Sequence, residues 1–175
     1  LCTHILYAFA SIDESNFTIV PFDENDVSNE WSKIGMYERV NRLKKIDPQL
    51  KTLISIGGWS FGTKIFQQTS SNETNRSKFI SSAIDFVRFH NFDGIDIDWE
   101  YPNGTEDINS FTLLMKELRR AISMECLDTT RKDRLLLTVA VSASRKTIKT
   151  GYNIPELAKY VTQKYLPDIK IVTET

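Results

Sequence analysis

FDGIDIDWEYP, the stretch from Phe92 to Pro102, decides how the rest of the chain is read. Within it Ile95, Ile97 and Trp99 alternate with Asp96, Asp98 and Glu100. Side chains at i, i+2 and i+4 of a strand point to one side, so the three carboxylates share a face, about 6.5–7 Å apart along the backbone. The apolar residues fill the other face. Asp93 has the opposite parity and a different task. Three acids on one face repel each other and resist ionising together, a cost that a fold carries where a site needs it. An exposed polar strand would mix charge signs, yet no Lys or Arg interrupts the set. A calcium loop needs a Gly at its sixth position and a distal Glu, and β-branched alternation contradicts a loop.

Working outward, the flanking chain alternates strands with helices. Leu1 to Ala10, Leu50 to Gly57 and Leu135 to Ser142 are apolar on both faces, as strands of a covered parallel sheet are. Asp168 to Thr173 reads as a further strand. Helical spacing predicts helices over Trp31–Ile46, Thr74–Phe89, Asp107–Glu125 and Pro155–Lys164. Ser11 to Asn29 is polar and aperiodic and reads as a loop. The order means a parallel sheet with helical crossovers. No G-x-G-x-x-G or P-loop follows a strand, which removes the nucleotide-binding version. Gly57, Gly58, Trp59 and Glu100 lie at or beyond strand C-terminal ends, where (β/α)8 barrels build their sites. Adjacent glycines there permit unusual dihedrals and close ligand approach. Trp59 beside them reads as a stacking platform, with a core anchor as the alternative.

Composition sets outer limits. The 175 residues suffice for one domain with a sizeable core, and 41% hydrophobic with 26% charged residues is ordinary for a globular protein. A net charge of -1 gives no electrostatic basis for binding nucleic acid or an anionic membrane surface. No apolar run approaches the ~18 residues of a membrane-spanning helix. Four N-x-[ST] sequons, at Asn16, Asn72, Asn75 and Asn103, lean toward secretion and glycosylation.

Together these residues resemble the chitinases of glycoside hydrolase family 18, animal and nematode members included. Asp93-Gly94-Ile95-Asp96-Ile97-Asp98-Trp99-Glu100 looks like the family's active-site signature, and Ser55-Ile56-Gly57-Gly58 like its second one. Leu1 to Ala10 resembles the barrel's second strand. The resemblance spans about residues 1–160 and implies an α/β (β/α)8 barrel, with residues 1–175 as a partial catalytic domain holding about strands two to six. It implies a secreted, monomeric enzyme that needs no metal or cofactor and acts on chitin or chito-oligosaccharides. Glu100 is then the proton donor, Asp98 the clamp on the substrate acetamido group and Asp96 the setter of its charge. Gly57, Gly58, Trp59, Ser60, Tyr101, Tyr7 and Phe9 are expected to contact sugar, with Tyr7 and Phe9 on the cleft floor. Asp93 is expected to hold backbone at the strand's start.

The family pattern also has departures here. A first strand is missing, and with it the cysteine that members pair with the one at Cys2. Lys170 to Thr175 lacks the Tyr and Asp of the family's sixth strand. Asp23-Glu24 stands where many animal members carry a Glu-Trp pair. Two further readings follow: a non-catalytic chitin-binding lectin of the same fold, and an inactive truncated fragment with open sheet edges.

Overall fold

A computed structural model describes residues 2–128 and 133–162. Four parallel strands form its spine: β1 (His4–Ile12), β3 (Lys51–Gly57), β4 (Gly94–Asp98) and β5 (Leu136–Val139). A fifth strand, β2 (Ile19–Pro21), lies antiparallel on the edge of β1, giving the order β2-β1-β3-β4-β5. β2 lies within the stretch expected as a loop, because a three-residue edge strand has no measurable periodicity. The strand expected at Asp168 to Thr173 lies outside the described residues.

The crossovers are helical: α1 (Met36–Arg42), α2 (Lys64–Ser71), α3 (Glu73–Phe89) and α4 (Gly104–Asp128). Two further helices, α5 (Arg145–Gly151) and α6 (Ile154–Tyr160), follow β5. Local sequence explains the starts: the side chains of Asn72, Ser144 and Asn153 accept the first free backbone N–H groups of α3, α5 and α6. Pro155 occupies the first turn of α6, where its missing N–H costs nothing. The helix expected over Trp31–Ile46 is only seven residues of α-helix, followed by a 3-10 turn at Leu43–Lys45. Helices α2 and α5 were not anticipated. Each is short, with few apolar residues to mark a stripe.

Parity divides the sheet. Ile54, Ile56, Ile95, Ile97 and Leu137 are fully buried on the helix side, in one core with Phe66, Phe79, Phe111, Leu114 and Leu118. Arg76 of α3 pairs with Glu117 of α4 at 2.9 Å, and Arg88 with Glu125 at 2.7 Å, fastening the two helices over that layer. The other side carries a cross-strand row, Ala8, Ser55, Asp96 and Thr138, in direct register. One step toward the C-terminal ends, Gly57 pairs with Asp98.

Candidate active site

The row through Asp96 is the base of the site. Ser55 Oγ donates to Asp96 Oδ2 at 2.8 Å and Thr138 Oγ1 donates to Oδ1 at 2.6 Å. Asp96 is 3% exposed, so a carboxyl is set among strand backbones with a hydroxyl on each oxygen. Burial raises its pKa, and the two hydroxyls oppose the rise. Asp98 sits two residues on, half-buried. Burial, then the charge of Glu100, then that of Asp96 push its carboxyl up to about 7. Asp96 and Asp98 thus both have carboxyls raised by burial, and Glu100 adds its charge to Asp98.

The rim is built by backbone. Gly57 has φ 121°, and a Cβ there would lie 2.2 Å from the Asp98 carbonyl oxygen. The Gly58 N–H donates to that same oxygen at 2.9 Å. Only a chain without side chains lets the end of β3 lie this close to the end of β4. A 3-10 turn, Trp59–Phe61, follows and presents Trp59 at 76% exposure, with Ser60 exposed beside it. Trp99 has the opposite fate. It is 1% exposed, stacks on Phe66 at 5.4 Å and donates Nε1–H to Thr63 Oγ1 at 2.6 Å. Tyr101 is half-buried next to Glu100. Its phenol is raised, first by burial and then by the Glu100 charge.

Two expected floor residues part company. Tyr7 pairs with Ile54 and so lies on the helix side, where its hydroxyl donates to Asp26 Oδ1 at 2.6 Å and its ring meets Tyr37 edge-on. It does not line the carboxylate face. The register of β1 on β3 shifts between Ala8 and Ala10, which undoes the shared parity of Tyr7 and Phe9. Phe9 lies at the rim, its ring 2.6 Å from where a Gly58 Cβ would be. Phe22, which no sequence periodicity marks, packs edge-on to Phe9 at 6.4 Å and is 51% exposed. It immediately precedes Asp23-Glu24, so this loop does supply an aromatic. Its signal was the pair of apolar residues at the return of the hairpin, hidden while the segment read as a loop.

Asp93 stands below the site. Its Oδ2 accepts the Thr52 backbone N–H at 2.8 Å and the Lys44 ammonium at 3.0 Å. A cavity of about 450 Å³ lies apart from the carboxylates, lined by Asp26, Asn41, Arg42 and His90 among others. Among the described residues no cluster of His, Cys, Asp or Glu is arranged to hold a metal, no disulfide is formed, and no helix is long and apolar enough to cross a membrane. Cys2 is exposed, its thiol donating to the His4 carbonyl at 2.8 Å.

A parallel α/β sheet with acids crowded at one strand's C-terminal end is the arrangement in which (β/α)8 barrels place their sites. Residues 1–167 match Glycosyl hydrolases family 18, and the chain belongs to that family. It is 52% identical over 158 residues to the probable endochitinase of Caenorhabditis elegans, covering 90% of this chain and 25% of that protein. It is 46% identical over 159 residues to the endochitinase of Brugia malayi, covering 91% and 31%. The chain thus spans about a third or less of these two relatives. Among solved structures, the immunomodulatory active chitinase TsES1 of Trichuris suis superposes with a TM-score of 0.84 at 39% identity, over 91% of this chain and 41% of that one. Human YKL-39, described as a pseudo-chitinase with retained chitooligosaccharide binding, superposes with a TM-score of 0.80 at 41% identity and the same coverage. The sheet is part of a (β/α)8 barrel.

Proposed function

We propose that the protein carrying this chain hydrolyses β-1,4-linked N-acetylglucosamine polymers with retention, by substrate assistance. Glu100 protonates the leaving glycosidic oxygen. The substrate's own 2-acetamido oxygen attacks the anomeric carbon, and the C–O bond to the leaving sugar breaks as an oxazolinium ion forms. Asp98 accepts the acetamido N–H and balances its developing positive charge, with Asp96 holding the exchanged proton. Glu100 then takes a proton from water as the water oxygen bonds to the anomeric carbon and the bond from that carbon to the acetamido oxygen breaks, regenerating the acetamido group. The observation that carries this reading is the run of carboxyls at the end of β4: Asp96 buried between the Ser55 and Thr138 hydroxyls, followed by Asp98, which burial and the neighbouring acids push up to about 7. A group so placed passes a proton to its neighbour at little cost near neutral pH.

Trp59 and Phe22 are exposed at the rim, where aromatic faces suit the C–H faces of sugars. With Phe9, Gly58, Ser60 and Tyr101 they make the sugar-binding wall. The same reading makes the protein monomeric and secreted, with glycans on exposed sequons such as Asn16 and Asn103 and a disulfide from Cys2 to a cysteine beyond this chain. These follow from the sequons and from the family resemblance.

Glu100→Gln in the enzyme that carries this chain tests the mechanism. Turnover of a chromogenic chitobioside falls at least about 100-fold, the scale of one general acid, while chitotetraose binding persists. Undiminished turnover overturns it. The second reading, a chitin-binding lectin, draws on the likeness to YKL-39. Wild-type protein that stays on chitin beads and releases no product favours it.

A further inference from the structure

Tyr152 is the C-terminal cap of α5 and is 6% exposed. Its ring packs edge-on to Phe111, which in turn packs edge-on to Trp99, so the ring is anchored in the core beneath the acid-bearing strand. Its hydroxyl is buried, and no described residue meets hydrogen-bond geometry with it. The Ser142 backbone amide approaches it without meeting that geometry. Leaving a buried hydroxyl unpaired costs roughly 1–3 kcal/mol, and a phenylalanine would fill the same space without that cost.

Its position follows from the residue before it. A Cβ on Gly151 would lie 2.2 Å from the Pro102 carbonyl oxygen. The end of α5 is therefore seated against the backbone that leaves β4 through Glu100, Tyr101 and Pro102. Among the described residues, the titratable groups with the largest influence on the phenol are Tyr101, Asp98 and Glu100, in falling order, and each of them raises its pKa. Burial and these acids raise the phenol's pKa, so it remains a proton-bearing donor wherever the acids titrate.

We propose that Tyr152 is a positioning residue for the carboxylates: its buried hydroxyl, seated on the Glu100–Tyr101–Pro102 segment through Gly151, is a donor held ready for the ionised Asp98–Glu100 pair. The inference rests on the chitinase reading and adds to it a group from α5. During the reaction the charge on these two acids changes twice, as the proton leaves Glu100 and returns. A donor already in place, with no other partner to give up, favours the ionised state without reorganisation. Hydrogen bonds of this kind are commonly long in the free enzyme and tighten in the reacting complex.

Tyr152→Phe tests the proposal in the enzyme that carries this chain. Losing an unpaired buried hydroxyl is neutral or stabilising, so Tm holds or rises. The expected kcat is about ten-fold lower, the rate equivalent of one ordinary hydrogen bond, with KM within about two-fold. The midpoint of the Asp98 carboxyl titration, followed by carbon NMR, moves to higher pH because the ionised pair has lost a donor. An unchanged kcat overturns the proposal, and so does an unchanged Asp98 midpoint. If the wild type hydrolyses no chitin substrate, the chitinase reading fails by itself and the Asp98 titration still decides the role of Tyr152.

Discussion

Thr138 on β5 donates its hydroxyl to Asp96 Oδ1 at 2.6 Å, from the neighbouring strand and from the same row of the sheet. With Ser55 on the opposite side, it suspends a buried acid between two strands. Replacing Thr138 with Val keeps the shape and removes the donor. The expected cost is about 1–3 kcal/mol by urea denaturation at neutral pH, because a buried acceptor is left short of a partner. Thr138→Ser restores most of it. Equal stability of the Val variant and the wild type would place the worth of that bond near zero.

Asp98 makes stability depend on pH. Its folded carboxyl is raised to about 7 from an ordinary 3.8, so the folded state binds this proton more tightly than the unfolded one. The contribution to stability is fully present below 3.8 and is lost as pH rises through about 7. Asp98→Asn carries no such titration. Its Tm relative to wild type rises between pH 4 and pH 8, and thermal melts across that window read the difference. A flat difference would show that Asp98 does not titrate in the window.

Tyr7 belongs to the helix side of β1, bonded to Asp26 at 2.6 Å. Tyr7→Phe removes the donor from a carboxylate that is 4% exposed and costs about 1–3 kcal/mol. Since Tyr7 faces away from the carboxylate row, KM and kcat on a chitin oligomer stay within about two-fold. A rise in KM with unchanged stability would return Tyr7 to the cleft.

On the proposed function, Trp59 and Trp99 are expected to separate binding from folding. Trp59 is 76% exposed, so Trp59→Ala leaves Tm within a degree or two and raises KM about ten-fold, the worth of one stacked ring. Trp99 is 1% exposed and packed between Phe66 and Phe111. Trp99→Ala costs about 3–5 kcal/mol through cavity formation. Thermal melts and KM measured on both variants check the contrast.

Much of the site is legible in residues 92–102. The period-2 alternation sets Asp96, Asp98 and Glu100 on one face and sends Ile95, Ile97 and Trp99 into the core, because side-chain direction within one strand depends only on position along it. The same parity separates Asp93, which the structure finds bonded to the Thr52 amide. The glycines at 57 and 58 mark the close approach of β3 to β4 for the same local reason.

What the sequence by itself could not decide is which strand stands beside which, and in what register. Ser55 and Thr138 reach Asp96 across about forty residues on either side, and only strand pairing brings them to its two oxygens. A register shift after Ala8 leaves Phe9 at the rim while Tyr7 stays on the helix side, although both sit in one alternating run. Tyr152 arrives from a helix with too few apolar residues to announce itself. Local periodicity orients each side chain within its own strand, whereas partners, burial and the resulting proton affinities come from long-range packing that no local pattern encodes.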